Sequence, residues 1–255
     1  FGYQAGEALL QAIARRLIRL PGTAARINGG EFIWIPLQSN ILDLPELEVQ
    51  LNRLHGLISN HYVVQDQIIT VDCAVAGLRA PQDATTADDI LLRLNIACDA
   101  AQAHLNHLAI YTLDLEQRYM YRLDVLNKLK NELALPEPRF TLHFQPKFRV
   151  ATMAPERAEA LIRWIDQDLG FVAPDVFIPI AEQSGLIDAI SRWVIRTVVK
   201  QQCLWQQAGI NIQVAINLSV FDLETSTMFE FARDIMTKAG LRATSISFEM
   251  TESAL

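Results

Sequence analysis

Only three cysteines, Cys73, Cys98 and Cys203, occur in 255 residues, and no two of them form a CxxC pair. That excludes a disulfide framework or a thiolate metal knuckle as the organising feature, and the three read as small buried apolar residues in a reducing compartment. No apolar run approaches the roughly 18 residues that a membrane span needs, and no signal-peptide pattern is visible. The expected location is cytoplasmic, with any membrane anchor of the parent protein outside this stretch. Basic residues are in deficit, 22 against 29 acidic ones, for a net charge of −7. This is the wrong sign for gripping a nucleic-acid polymer, although a local basic pocket for a small anionic ligand is compatible with it. No GxGxxG or GxxxxGK(S/T) loop follows a strand pattern, so the common nucleotide-binding open sheets lose support. No serine sits in GxSxG and no cysteine has a clear histidine partner, which leaves nucleophilic hydrolysis without a motif.

What is present is an ordinary globular composition, 51% hydrophobic and 20% charged, enough for one large domain or two moderate ones. Leu9, Ile13, Leu17 and Leu20 recur at helical spacing over residues 7–20. "TAARINGGEFIWIP" then predicts a hairpin turning at Asn28-Gly29-Gly30. Further along, the pattern predicts a helix over 44–59, a buried strand in "DQIITVDCAVAGL", a helix opened by a threonine-aspartate cap in "TADDILL", and a strand in "NHLAIYT". Residues 113–135 carry Leu115, Tyr119, Leu123, Leu126, Leu129 and Leu133 at spacings of three and four, one long amphipathic helix stopped by "PEP". The domain junction is placed there. Beyond it, "FTLHFQP", "RAEALIRW", "IQVAINLS" and "SISFEMTE" read as strands with helices between, a series of βα units that favours a barrel. Both ends read as cuts through a longer protein.

In a barrel, side chains at the C-terminal strand ends share one mouth. Three such ends carry oxygen donors suited to a hard cation: Glu159 in "AEAL", Asn217 in "INLS" and Glu249 in "FEMTE". Taken residue by residue, each is more often a solvated loop group or a cap; all three on consecutive strand ends together outline a metal site with no substrate attached. His104 and His107 fall at i, i+3 on one predicted helix and read as exposed surface. His55, His61 and His143 receive no role.

The series "FTLHFQPKF", "AEALIRW", "FVAPDVFIPIAEQSGLI", "WVI", "INLS" and "FEMTESAL" resembles, in order and spacing over about 120 residues, the EAL domain of cyclic-di-GMP signalling proteins. The resemblance implies a modified TIM barrel with an antiparallel first strand. It also implies Mg2+- or Mn2+-dependent hydrolysis of one phosphodiester of cyclic-di-GMP to a linear dinucleotide. Carried over position by position, it makes Glu159, Asn217 and Glu249 metal ligands and Glu252 the glutamate that steadies a neighbouring loop. Gln145 and Arg163 become contacts to the dinucleotide. Ile165-Asp166-Gln167 stands where the family often has "HP". The family's paired aspartates, catalytic lysine and a further glutamate would follow Leu255, so residues 1–255 alone are expected to be inactive.

Residues 1–112 resemble the later two-thirds of a GGDEF domain, the cyclase that makes cyclic-di-GMP. "FGYQAGEALLQAIARRL" matches its helix, with Glu7 where an aspartate usually meets guanine. Setting "ARINGGEF" on the family motif puts Asn28 and Gly29 on its two glycines and Gly30 on a metal-binding carboxylate, while Glu31 and Phe32 match. With that carboxylate lost, the turn is expected only to turn, and no diguanylate cyclase activity is expected. The upstream inhibitory "RxxD" reads Arg19-Leu20-Pro21-Gly22, without its aspartate. The expected architecture is therefore α/β: a degenerate GGDEF sandwich at 1–112, a linker helix at 113–136 and a truncated EAL barrel at 137–255. Its expected function is that of a metal-dependent cyclic-di-GMP phosphodiesterase with a regulatory cyclase-like domain. The alternative is a non-catalytic cyclic-di-GMP receptor signalling through the linker. Weak GTP binding by the degenerate domain and a homodimer are compatible with either.

Overall fold

The computed structural model describes residues 2–37, 43–223 and 227–250. It separates into two compact units, Phe1–Tyr119 and Met120–Leu255. Among the described residues no helix is long and apolar enough to cross a membrane.

In the first unit, α1 (Tyr3–Leu17) turns Ala5, Ile13 and Leu17 inward at helical spacing. β1 (Gly22–Asn28) and β2 (Glu31–Pro36) pair antiparallel around the Gly29-Gly30 turn. Gly29 takes a φ of +38°, a left-handed conformation that side chains resist. α2 (Leu44–Ile58) starts at Asp43, whose carboxylate accepts from the Glu46 amide while Glu46 reaches back to the Asp43 amide. β3 (His61–Val64) and β4 (Gln67–Thr70) form a second hairpin. β5 (Val75–Gly77) pairs in parallel with β6 (Leu108–Ile110). The connection between them is α3 (Ala87–Ala103), capped by the Thr86 hydroxyl. Gly77 lets α2 close on β5: a Cβ there would lie 3.0 Å from the Leu51 side chain. Ala5, Ile13, Leu17, Ile58, Tyr62 and Val64 make the core.

Three expectations are corrected here. "DQIITVDCAVAGL" is not one buried strand but β4 and β5, separated by residues 71–74, with Ile68 exposed on β4. The cysteines are free but half-buried rather than fully inside. His104 and His107 do not share a helix: α3 stops at Ala103, His104 is its extended cap, and His107 takes a φ of +52° beyond it.

A single helix, α4 (Leu113–Leu133), runs across the boundary between the units. Its later part belongs to the second unit, where Val125 and Leu129 are fully buried. There β7 (Thr141–Arg149) pairs antiparallel with β8 (Ala154–Asp166), β8 parallel with β10 (Gln213–Leu218), and β10 parallel with β11 (Ile246–Met250). β9 (Gly170–Val172) adds antiparallel to the far end of β8. The helices are α5 (Pro174–Gln183), α6 (Ile187–Gln207) and α7 (Thr227–Lys238).

Strand alternation sorts this sheet into two faces. Ala160, Val214, Ile216 and Ile246 are buried in the same core as residues of α5, α6 and α7. Phe140, Trp164, Phe177 and Trp193 interlock there edge-on and stacked, at centroid separations of 5.4–6.2 Å. Glu132, almost wholly buried on α4, is satisfied by the Arg139 guanidinium at 2.7 Å and by the Arg139 amide. The opposite face of the sheet carries the polar alternates, and the candidate site lies on it.

Candidate active site

Register fixes which polar residues meet. Gln145 on β7 lies opposite Glu159 on β8, Glu159 opposite Ala215 on β10, and Asn217, two residues on, opposite Glu249 on β11. With a side-chain period of two, Gln145, Glu159, Asn217 and Glu249 all project from one face. Glu159 is not at the end of its strand, as the sequence suggested. β8 runs seven residues further to build the β9 hairpin, but its ladder with β10 stops at Ala160, so Glu159 stands at the end of the parallel pairing.

The Asn217 side-chain amide donates to Glu159 Oε1 at 2.8 Å, which leaves the Asn217 carbonyl oxygen as a free acceptor among the described residues. Lys147, on β7, places its Nζ 3.3 Å from Glu159 Oε2 and 3.3 Å from Glu249 Oε2. Donation from Asn217, opposed by partial burial and assisted by Lys147, holds the Glu159 carboxyl below its ordinary range. Hydrogen bonding to Glu159, opposed by desolvation and reinforced by Glu249, pushes the Lys147 ammonium up. Both groups are therefore charged at neutral pH. Sequence reading missed Lys147. Its only signal there is the period-two spacing from Gln145, which puts it on the same face.

The structure brings Glu159, Asn217 and Glu249 together and sets Gln145 beside them. Arg163 shares their face four residues along β8, about 13 Å from Glu159 at strand rise, and donates to the Ile162 carbonyl at 2.8 Å. Glu252 lies outside the described residues. Two carboxylates and an amide oxygen suit a hard divalent cation. Among the described residues, no three His, Cys, Asp or Glu side chains form a metal-holding group; the oxygen donors at this place are the Glu159 and Glu249 carboxylates and the Asn217 amide.

In the first unit, Glu7 is engaged by Arg26 at 3.2 Å, and the Arg26 Nε donates to the Gly29 carbonyl at 2.7 Å. The Asn28–Phe32 turn is thus held by the chain's own side chains. A separate constellation was not foreseen: Asp72 accepts from Ser59 and lies 3.4 Å from His55 Nε2 and 3.2 Å from His107 Nε2. Ser59 and Asp72 both address the same His55 nitrogen, which rules out the relay order of a nucleophilic triad. Burial pushes the Cys73 and Cys98 thiols up, away from reactivity.

The family model described as EAL domain matches residues 127–255, more than half of the chain. The chain belongs to the EAL domain family. The EAL segment contains the whole β7–β11 sheet and every residue of the candidate site. Over its full length the chain is 28% identical to the signaling protein YkoW of Bacillus subtilis, aligning over 99% of itself and 32% of that protein. It is also 28% identical to the cyclic di-GMP phosphodiesterase PdeR of Escherichia coli, over 100% of itself and 38% of the relative. The chain thus spans about a third of the length of these relatives. Among solved structures, Vibrio cholerae LapD S helix-GGDEF-EAL, bound to c-di-GMP, superposes with a TM-score of 0.53 at 17% identity. That match covers 99% of this chain and 59% of the other, a likeness of fold.

Proposed function

We propose that the EAL unit is the metal-binding half of a cyclic-di-GMP phosphodiesterase site. The observation that carries this reading is the convergence of Glu159, Asn217 and Glu249 from three adjacent parallel strands onto one polar face. PdeR is named for the same activity, which supports the assignment. Glu159 and Glu249 would hold Mg2+ or Mn2+ through carboxylate oxygens and Asn217 through its amide oxygen. A cation held there would supply Lewis acidity, activating water for attack and neutralising charge on the phosphate. Gln145, next to Glu159, would hydrogen-bond the dinucleotide. Arg163, further up the face, has no carboxylate partner among the described residues, and its planar fork suits a phosphate. Glu252 would steady a neighbouring loop.

For the first unit the reading is a degenerate GGDEF domain over residues 1–112, joined by the helix at 113–136 to the EAL domain over 137–255. Glycine stands at position 30, where a carboxylate would be needed to bind metal, and Glu7 is occupied by Arg26. Regulation rather than cyclase chemistry follows.

The test uses the full-length parent protein with Mg2+ or Mn2+ and cyclic-di-GMP. Linear dinucleotide should form, and Glu159→Ala should lower turnover at least 100-fold through lost metal while folding is retained. Tight dinucleotide binding with no product at any metal concentration would overturn the enzymatic reading in favour of a receptor.

A further inference from the structure

Two carboxylates on the strands that flank β10 face one another across one polar surface, and their repulsion is eased when a cation lies between them. Here that cation is part of the chain. Lys147 Nζ is 3.3 Å from Glu159 Oε2 and 3.3–3.4 Å from both oxygens of Glu249. Charge-assisted bonds of this kind close to about 2.7–2.9 Å when tight, so the ammonium is shared between the two glutamates rather than locked on either. No other cation touches either carboxylate among the described residues. The Lys147 side chain is 45% exposed, and its four-carbon stem rises from β7 at the rim of the sheet, so it can swing into solvent. Across the ladder its register partner is Arg157, a like charge that gives the ammonium a further reason to lean toward the carboxylates.

We propose that Lys147 is a tethered competitor for the divalent cation: it bridges Glu159 and Glu249 when the ion is absent and must leave when the ion enters. This rests on the metal reading given above. A divalent ion and the ammonium compete for these two carboxylates, because together they would set three positive charges against two negative ones. Metal affinity is therefore set partly by the cost of releasing Lys147, and a neutral side chain at 147 removes that cost. A purely structural lysine gives the opposite result: its loss would let the glutamates spread apart and weaken binding.

Calorimetric titration of the full-length protein with MnCl2 at low ionic strength distinguishes the two. K147Q and K147M are expected to bind Mn2+ about three- to tenfold more tightly than the parent, the scale of one or two partly exposed ion pairs. K147R, which keeps the charge, should bind within twofold of the parent. Equal or weaker binding by both neutral variants, with their circular dichroism unchanged, overturns the competitor role and leaves the metal site standing. If neither parent nor variants bind Mn2+, while all are folded, the metal reading itself falls and the competitor role with it.

Discussion

Asp222 carries a carboxyl into the core of the EAL unit on a single turn of 3-10 helix, residues Val220–Leu223. One oxygen accepts from the Ser191 hydroxyl at 2.7 Å and from the Ser219 amide at 3.1 Å; the other is buried without a partner among the described residues. Burial pushes its pKa up, these two donors pull it back, and the nearby charges of Asp188 and Glu182 push it up again, for a net rise. A carboxyl whose folded pKa lies above its unfolded value holds its proton more tightly in the native state. Its ionised form therefore costs stability at neutral pH, and that cost is relieved as pH falls through the folded pKa toward the ordinary carboxylate range. Asp222→Asn removes this titration. Urea unfolding should show the variant gaining most, relative to the parent, at pH 7 and losing that relative gain on acidification. The slope can be at most about 1.4 kcal/mol per pH unit, the limit for one proton. A difference independent of pH would show that Asp222 titrates alike in both states. The Gly29-Gly30 turn gives a second residue-scale contrast. Gly29 is left-handed and Gly30 is not, and a Cβ at Gly30 meets nothing within 4 Å. Gly29→Ala should cost about 1 kcal/mol in the same denaturation experiment, while Gly30→Asp should stay within about 0.5 kcal/mol. Equal losses would mean that conformation is not what selects glycine there.

At the scale of elements, what could be read from the sequence depended on whether local signals and packing agreed. α4 was legible because its apolar seam from Leu115 to Leu133 keeps one helical period, and the β1–β2 hairpin because Gly29 sits where the turn takes a left-handed φ. The β3–β4 hairpin was not. Its two turn residues, Gln65 and Asp66, take φ values of 49° and 62°, a conformation usually announced by Asn-Gly or Asp-Gly. Without that signal, the β-branched run that follows reads as one strand instead of the edge of a hairpin plus a separate parallel strand. The cation-competent face was partly legible. Glu159, Asn217 and Glu249 are conspicuous because each is a polar residue in an apolar run. Lys147 is not, because a lysine next to Pro146 looks like an exposed end until the register with β8 places it on the same face as Glu159. Asp72 with His55 and His107 was hidden for a different reason: its members come from the last turn of α2, the link between β4 and β5, and the residue just before β6, and no spacing links them.

At the scale of the whole molecule, the two compact units share the α4 helix but own separate cores: one around Ile13, Leu17 and Tyr62, the other around Leu129, Trp164 and Ile195. Cooperative opening follows the buried apolar contacts of each core rather than the continuity of the backbone, so the units should lose protection separately. Leu129 is fully buried in the second core although its helix begins in the first unit, which makes it a clean probe. Leu129→Ala removes buried methyl and methylene groups and should destabilise the EAL unit by about 2–5 kcal/mol. Native-state hydrogen exchange resolved by peptide should then show amides of β7, β8 and β10 exchanging faster by the corresponding factor, while those of α1 and α3 keep their rates. If protection in α1 and α3 fell by the same amount, the chain would unfold as one cooperative body, and α4 would transmit stability between the cores rather than merely join them.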